Sequence, residues 1–507
     1  MATGLASPQA ASPSRPAHVR VGLTGAAAVT VLALAVRLAT ATTQSFWLDE
    51  AYTEHLVHLG LGTMLSEIPR TESTPPLYYL LAWGWTHVFG YGELALRAVS
   101  ALAGAATVTC AYLLAGRLAG ARAGLIAGVL LSLSPIMVWY SQEARAYALA
   151  TLLATASLLC LIRYRDSGRV TWAAAWAATA SLGLCGHYFV GFVVLPEVVW
   201  LLWRRRERPE VRVGIGVLAL VVLALLPLAL AQHGTGHADY IAQDSLATRA
   251  LKLPKQYLIG YVSPVQILTT AGAAVLVLVG SLWPLLRGRA WVPTPARIVL
   301  AAGLSGVGGP LLLALVGFDF VDTRNLLAAL VPLLVIAAVG FASPEARPWG
   351  LWLAGALAAL FAVVVVVVNA DPRYQRSDWG GASSALGPAR VTRVIVVSPG
   401  DSLLPLQAYQ PRVRLLGAPV EVREIDIVGV ALPIGGSGLG PVPRPPAQPQ
   451  VPAGFFPAGT VHTRAYTLLR YRSAAPATVS APELTPLYPG VTGALLVQGA
   501  GRQRSGP

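Results

Sequence analysis

Asp49 and Glu50 stand side by side in Gln44-Ser45-Phe46-Trp47-Leu48-Asp49-Glu50-Ala51-Tyr52-Thr53-Glu54, just past the first apolar run at 21–40. Phe46, Trp47 and Tyr52 suit an interfacial aromatic belt, but inserting a helix in a bilayer does not require a pair of acids. Neighbouring carboxylates can deprotonate a hydroxyl. They can also help hold Mg²⁺ or Mn²⁺, although two carboxylates are not a complete metal site. Further polar clusters follow at Tyr140-Ser141-Gln142-Glu143-Ala144-Arg145-Ala146-Tyr147, Gly186-His187-Tyr188 and Asp319-Phe320-Val321-Asp322-Thr323-Arg324-Asn325, with Arg97 between the first two acids and these. Such a set suits an anionic substrate, because guanidinium groups grip phosphate oxygens while a carboxylate acts as base or metal ligand. Plainer roles remain open: Glu143 and Arg145 could pair with each other or with headgroups, Asp322 could pair with Arg324, and His187 could simply sit at the interface.

The elements that must position these residues are apolar. The chain has 507 residues, 55% hydrophobic and 12% charged, with a mean hydropathy of +0.60. A soluble domain carries about twice that share of charge, so the composition is that of a polytopic membrane protein. The net charge of +14 does not mark a nucleic-acid binder, since no basic cluster is interleaved with aromatic residues. Cys110, Cys160 and Cys185 lack metal-ligand spacing and read as small buried hydrophobes. Apolar runs at 21–40, 97–114, 123–139, 146–162, 172–185, 189–203, 213–231, 265–286, 298–316, 326–341 and 351–368 give about eleven expected transmembrane helices. The first run is long for the core of a cleaved leader, and many more follow it, so it reads as a span.

Arginines gather at every second connection: Arg117/Arg122, Arg163/Arg165/Arg169, Arg204–Arg212, Arg287/Arg289/Arg297 and Arg347. By the positive-inside rule these are cytoplasmic, as is a disordered tail at 1–20, and the connections holding the acids share the outer face. This parity requires that Pro75-Pro76-Leu77-Tyr78-Tyr79-Leu80-Leu81-Ala82-Trp83-Gly84-Trp85 not cross. It reads as a juxtamembrane or re-entrant helix opened by proline, preceded by an amphipathic interfacial stretch at 51–68. The domains expected are therefore a membrane bundle at 21–369 and a small extracytoplasmic α/β or mostly β domain at 370–507. In that domain, strands are expected near 391–397, 413–416, 422–428 and 466–471, and a mobile Gly/Pro-rich loop at 432–457.

The ordered set Phe46-Trp47-Leu48-Asp49-Glu50-Ala51-Tyr52, Pro75-Pro76-Leu77-Tyr78-Tyr79, Arg97-Ala98-Val99-Ser100-Ala101-Leu102, Ser141-Gln142-Glu143-Ala144-Arg145-Ala146-Tyr147 and Arg324-Asn325-Leu326-Leu327 resembles the GT-C glycosyltransferases. Within these it is most similar to the bacterial protein O-mannosyltransferase and aminoarabinose transferase relatives, over roughly 21–340. The resemblance implies a GT-C fold in the bacterial inner membrane, a polyprenyl-phosphate sugar donor, and inverting transfer to an extracytoplasmic protein, glycan or lipid. It implies Asp49 as base or acceptor-orienting carboxylate and Glu50 as its support, the two being the candidate ligands of any Mg²⁺ or Mn²⁺. Arg97 and Arg145 are its candidates for the lipid phosphate, with Tyr78, Glu143, His187 and Arg324 as further substrate contacts. Two departures stand out. Thr74 occupies a position where relatives often carry histidine before Pro-Pro, and Arg324-Asn325-Leu326-Leu327 replaces Arg-Tyr-Leu-Leu. The rival from another class is a flippase of lipid-linked sugars. It would favour internal repeats and charges buried at mid-membrane; here the acids cluster at one face and no repeat is visible.

Overall fold

The computed structural model describes residues 22–288, 294–434, 438–446, 449–490 and 492–500. The tail expected at 1–20 lies outside the described residues, as do Arg289 and parts of the loop expected at 432–457.

Every apolar run is helical. The chain begins with α1 (Leu23–Ala39), followed by three short helices, α2 (Leu48–His58), α3 (Leu61–Thr71) and α4 (Leu77–Phe89). Next come α5 (Glu93–Ala119), α6 (Ala121–Leu133), α7 (Pro135–Ser141), α8 (Tyr147–Ser167), α9 (Val170–Gly186), α10 (Val190–Arg205) and α11 (Pro209–His233). After α12 (Leu246–Ile259), α13 (Gln266–Val277) passes through one π turn into α14 (Trp283–Arg287), and α15 (Thr294–Leu315), α16 (Leu327–Ala342) and α17 (Gly350–Ala370) complete the bundle.

Six of these are long and apolar enough to cross a membrane, or seven if the bent pair α6–α7 is one span. The expected count of about eleven is thus met only in part by length. The shortfall lies in α1 and α9, each 17 residues, and α10 and α16, each 16, against the ~20 residues a crossing needs at 1.5 Å per residue. The helix α4, of 13 residues, is also too short to cross. The amphipathic stretch at 51–68 is not one helix: Leu59 turns extended and Gly60 starts α3 afresh.

The bend of 60° between α6 and α7 follows from Pro135, which lacks an amide donor and pushes Ser134 out of the helical region. The carbonyls thus released are served by Arg37, the single charge in the first run: it donates to Leu131 O at 3.3 Å and Ser132 O at 3.2 Å. Arg37 approaches so closely because Gly104 faces it; a Cβ there would lie 2.8 Å from Arg37 Nε. A second buried charge, Glu197 on α10, accepts from Ser157 Oγ on α8 at 2.9 Å and Trp176 Nε1 on α9 at 2.6 Å, tying three helices together. By contrast α11 is almost wholly turned outward, as an all-apolar helix against lipid should be.

After α17 the chain forms α18 (Trp379–Leu386), β1 (Arg393–Ser398), α19 (Leu403–Gln407), β2 (Val413–Leu415), β3 (Val420–Val430), the short pair β4 (Pro433–Ile434) and β5 (Gly438–Leu439), β6 (Phe455–His462), β7 (Tyr466–Val479), α20 (Ala481–Leu484) and β8 (Ala494–Gln498). Six strands make one sheet in the order β2-β8-β1-β3-β7-β6, with β1 and β3 parallel and the other neighbours antiparallel. The continuous apolar run in β1 is explained by cover on both faces. Ile395 and Val397 pack with Trp379 and Leu386 of α18, while Val394 and Val396 pack with Leu484 and Leu487.

Candidate functional site

The connections 44–54, 140–147, 187–189, 232–241 and 318–325 meet at one end of the bundle around a cavity of about 960 Å³, closed on one side by residues 374–376 and Asp401 of the C-terminal part. We call this the site end.

Asp49 sits in the first turn of α2 and lines the cavity, 23% exposed, with Oδ2 accepting from Arg324 Nη1 at 2.8 Å. Arg324 also lies over the Tyr240 ring at 5.3 Å. Glu50 points elsewhere. It is fully buried, and Arg97 forks onto it, Nε to Oε1 at 2.7 Å and Nη2 to Oε2 at 2.6 Å, while Ala144 N donates to Oε1 at 3.0 Å. The remaining Arg97 donors reach Ala41 O, Gln44 O and Ser45 O. Glu50, Arg97 and Tyr78 therefore lie behind the cavity wall, Tyr78 being fully buried with its hydroxyl 3.3 Å from Ser100 Oγ.

Because both Glu50 oxygens are held by Arg97, Asp49 and Glu50 do not form a joint site for Mg²⁺ or Mn²⁺. Among the described residues no group of three His, Cys, Asp or Glu side chains converges to hold a metal ion. The donor set does not fit the ion.

Glu143 and Arg145 both line the cavity but do not pair with each other. Arg145 is held by Glu72, Nη2 to Oε2 at 2.7 Å and Nη1 to Oε1 at 3.1 Å, and Tyr79 donates its hydroxyl to the same carboxylate. Glu143 accepts from Arg376 Nη2 at 2.9 Å, and Arg376 stacks over Trp139 at 4.2 Å while donating to Trp139 O and Gln142 O. The other oxygen of Glu143, Oε1, is buried without a hydrogen-bond partner among the described residues. Burial pushes the Glu143 carboxyl up to about 7; Arg376 opposes the shift and the charges of Asp49 and Glu50 add to it. His187, also on the wall, accepts at Nδ1 from Phe189 N at 3.3 Å. Burial lowers its pKa to about 4, opposed by a hydrogen bond with Asn325 and aided by the positive Arg324 and Arg145, so the ring is neutral at physiological pH and, with Nδ1 accepting, its proton lies on Nε2. Asp322, 3.4 Å from the Tyr261 hydroxyl, is pushed upward by burial.

Two participants escaped the sequence reading. Glu72 carries a signal that could have been used: a lone acid just ahead of Ser73-Thr74-Pro75-Pro76 and an apolar helix. Arg376 carries none, since it follows the last apolar run and lies 233 positions from Glu143.

The C-terminal part also grips the segment leading to Asp49. Ser45 Oγ donates to Asp378 Oδ1 at 2.7 Å, Phe46 N donates to Tyr409 Oη at 2.6 Å, and Arg376 N donates to Gln44 Oε1 at 3.0 Å. Tyr409 in turn donates to Glu93.

Residues 73–231 match the family described as dolichyl-phosphate-mannose-protein mannosyltransferase. A stretch of 171 residues is 30% identical to an undecaprenyl phosphate-alpha-4-amino-4-deoxy-L-arabinose arabinosyl transferase of Pseudomonas savastanoi pv. phaseolicola, covering 32% of this chain and 31% of that protein. Another, of 175 residues, is 35% identical to the enzyme of the same name from Pseudomonas paraeruginosa, with the same coverage. The chain thus spans about a third of the length of these curated relatives. Over the whole fold the chain is similar to the crystal structure of ArnT from Cupriavidus metallidurans bound to undecaprenyl phosphate, with a TM-score of 0.53, 13% identity, and coverage of 89% of this chain and 98% of that one. The chain is thus similar in fold to ArnT, and its residues 73–231 resemble the family described as dolichyl-phosphate-mannose-protein mannosyltransferase.

Proposed function

We propose that the chain is a glycosyltransferase that moves a sugar from a polyprenyl-phosphate donor to a hydroxyl of an extracytoplasmic acceptor, with inversion at the anomeric carbon. The observation that carries this reading is the Asp49–Arg324 pair on the wall of a 960 Å³ cavity open at one end of the bundle. The donor class is supported by the undecaprenyl phosphate named for the Pseudomonas relatives and bound in ArnT.

Asp49 Oδ1 makes no hydrogen bond among the described residues and is the base. It takes the proton of the acceptor hydroxyl while that oxygen attacks the anomeric carbon opposite the phosphate. The anomeric C–O bond breaks, and its electron pair leaves on the polyprenyl phosphate. Arg324 and Arg145 face that developing charge from a wall in which Asp49 and Glu72 already hold them in place, so their donors need little reorganisation. Glu72 fixes Arg145, and neutral His187 offers its Nε2 proton to a substrate oxygen. Glu50 and Arg97 are positioning residues that set the turn carrying Asp49, and Tyr78 backs the wall through Ser100.

We further read the bundle as eleven crossings, counting the short α1, α9, α10 and α16, with a cytoplasmic N-terminus, a membrane unit at 21–369 and an outer unit at 370–507. The arginine-rich connections at the end opposite the site support this orientation. The test is transfer of radiolabelled sugar from synthetic polyprenyl phosphates to a cell-envelope extract by nanodisc-embedded protein. Wild type should transfer label, and Asp49→Asn should be slower by about 10²–10⁴-fold. Transfer by Asp49→Asn at the wild-type rate would remove Asp49 from the chemistry. Carrier movement across the bilayer without transfer would overturn the enzyme reading.

A further inference from the structure

A second groove, of about 930 Å³, lies on the other side of the Pro372–Tyr374 turn from the reaction cavity. Tyr374 faces the cavity and Arg373 faces the groove. The groove is lined by Arg373, Arg444 and Arg464, together with His462 and Thr463. Among the described residues its acidic neighbour in ion-pair contact is Asp371, held by Arg373 at 2.6 Å. Arg444 and Arg464 are exposed and make no ion pair among the described residues. Guanidinium groups directed into one concavity repel one another unless an anion lies between them.

The walls are fixed. Gly440 N donates to Leu432 O at 2.9 Å, and Pro443 lies so close to Gly429 that a Cβ there would meet its carbonyl oxygen at 2.1 Å. The opposite wall is the tip between β6 and β7, where Thr463 Oγ1 accepts from Tyr466 N at 2.9 Å and from Ala465 N at 3.2 Å, and His462 Nδ1 meets Thr467 Oγ1 at 2.8 Å. Two observations place this groove at the membrane surface. Arg373 follows the last residue of the spanning helix α17 by three positions, and Val461, next in sequence to the lining His462, is exposed at 36%. Arginines paired with exposed apolar side chains match the headgroup layer, where each basic residue strengthens binding to anionic lipid.

We propose that this groove binds the phosphate headgroup of an anionic lipid lying beside α17, and so seats the C-terminal sheet on the bilayer. The assignment does not depend on the transfer reaction.

The test uses the full chain in phosphatidylcholine nanodiscs doped with phosphatidylglycerol carrying a diazirine on its headgroup. After illumination, crosslinks should map to peptides holding residues 438–446 and 462–467. They should fall about tenfold or more in the double variant Arg444→Gln/Arg464→Gln, from roughly fivefold for each arginine near an anionic surface. Crosslinks at the arginine-rich opposite end report that the variant is folded and should not change. Undiminished labelling in the double variant, or equal labelling by photoreactive phosphatidylcholine, would overturn the proposal. Equally strong labelling of the same peptides by a soluble photoreactive glycerophosphate would also overturn it, by making the ligand a free phosphate rather than a lipid.

Discussion

Glu143 holds its proton more tightly in the folded chain than in the unfolded one, because its carboxyl is sealed from solvent and only one oxygen meets Arg376. Its folded pKa of about 7 lies above the ordinary carboxylate value. The stability it contributes is therefore present at low pH and lost as pH rises through about 7. Thermal unfolding in detergent should show a falling midpoint across that window, and Glu143→Gln should flatten the slope. His187 behaves oppositely: already neutral, it does not titrate near pH 7, so His187→Gln should lower kcat/KM by about tenfold while leaving the shape of the pH–rate profile unchanged. At this scale the sequence set the two acids side by side, and the structure separates them: Asp49 lines the cavity while Glu50 lies behind its wall. Consecutive helical residues point about 100° apart, so two adjacent acids opening α2 could not share one task. Which of the two meets Arg97 depends on where α5 crosses, and no local pattern records that.

The Glu50–Arg97 fork pins the start of α5 to the segment after α1 and, through Ala144 N, to the turn between α7 and α8. Removing one partner of such a pair strands a buried charge. Arg97→Leu should therefore cost about 3–5 kcal/mol, read as a loss of denaturant resistance in detergent. Glu50→Leu/Arg97→Leu should recover part of that loss. Helices and strands were the most legible level: all eleven apolar runs became helices, and the segments expected near 391–397, 413–416, 422–428 and 466–471 became β1, β2, β3 and β7. Lengths were less legible. Hydropathy registers how apolar a run is but not where a proline or glycine divides it, as Pro135 does between α6 and α7 and Gly60 between α2 and α3.

Viewed whole, the chain builds its cavity from both ends of the sequence. Arg376 crosses from the C-terminal part to Glu143, while Asp378 and Tyr409 clamp Ser45 and Phe46 just ahead of Asp49. Arg376→Met should lower kcat/KM by about tenfold to a hundredfold and raise the Glu143 pKa further, moving the pH window of the thermal-unfolding slope upward. A chain cut after Asn369 should keep its helical content, seen by circular dichroism, and lose transfer. None of this was legible beforehand, because long-range pairing between a bundle and a sheet leaves no periodic trace in either.

The late position of Arg376 in the sequence also bears on timing. A ribosome that has completed every apolar helix has still not made the residue that finishes the cavity wall. If the proposed transfer holds, the nascent protein should be inert toward a polyprenyl-phosphate donor until the last domain emerges and docks. On that reading, an unfinished chain in the bilayer would not squander donor by letting water take the place of the acceptor.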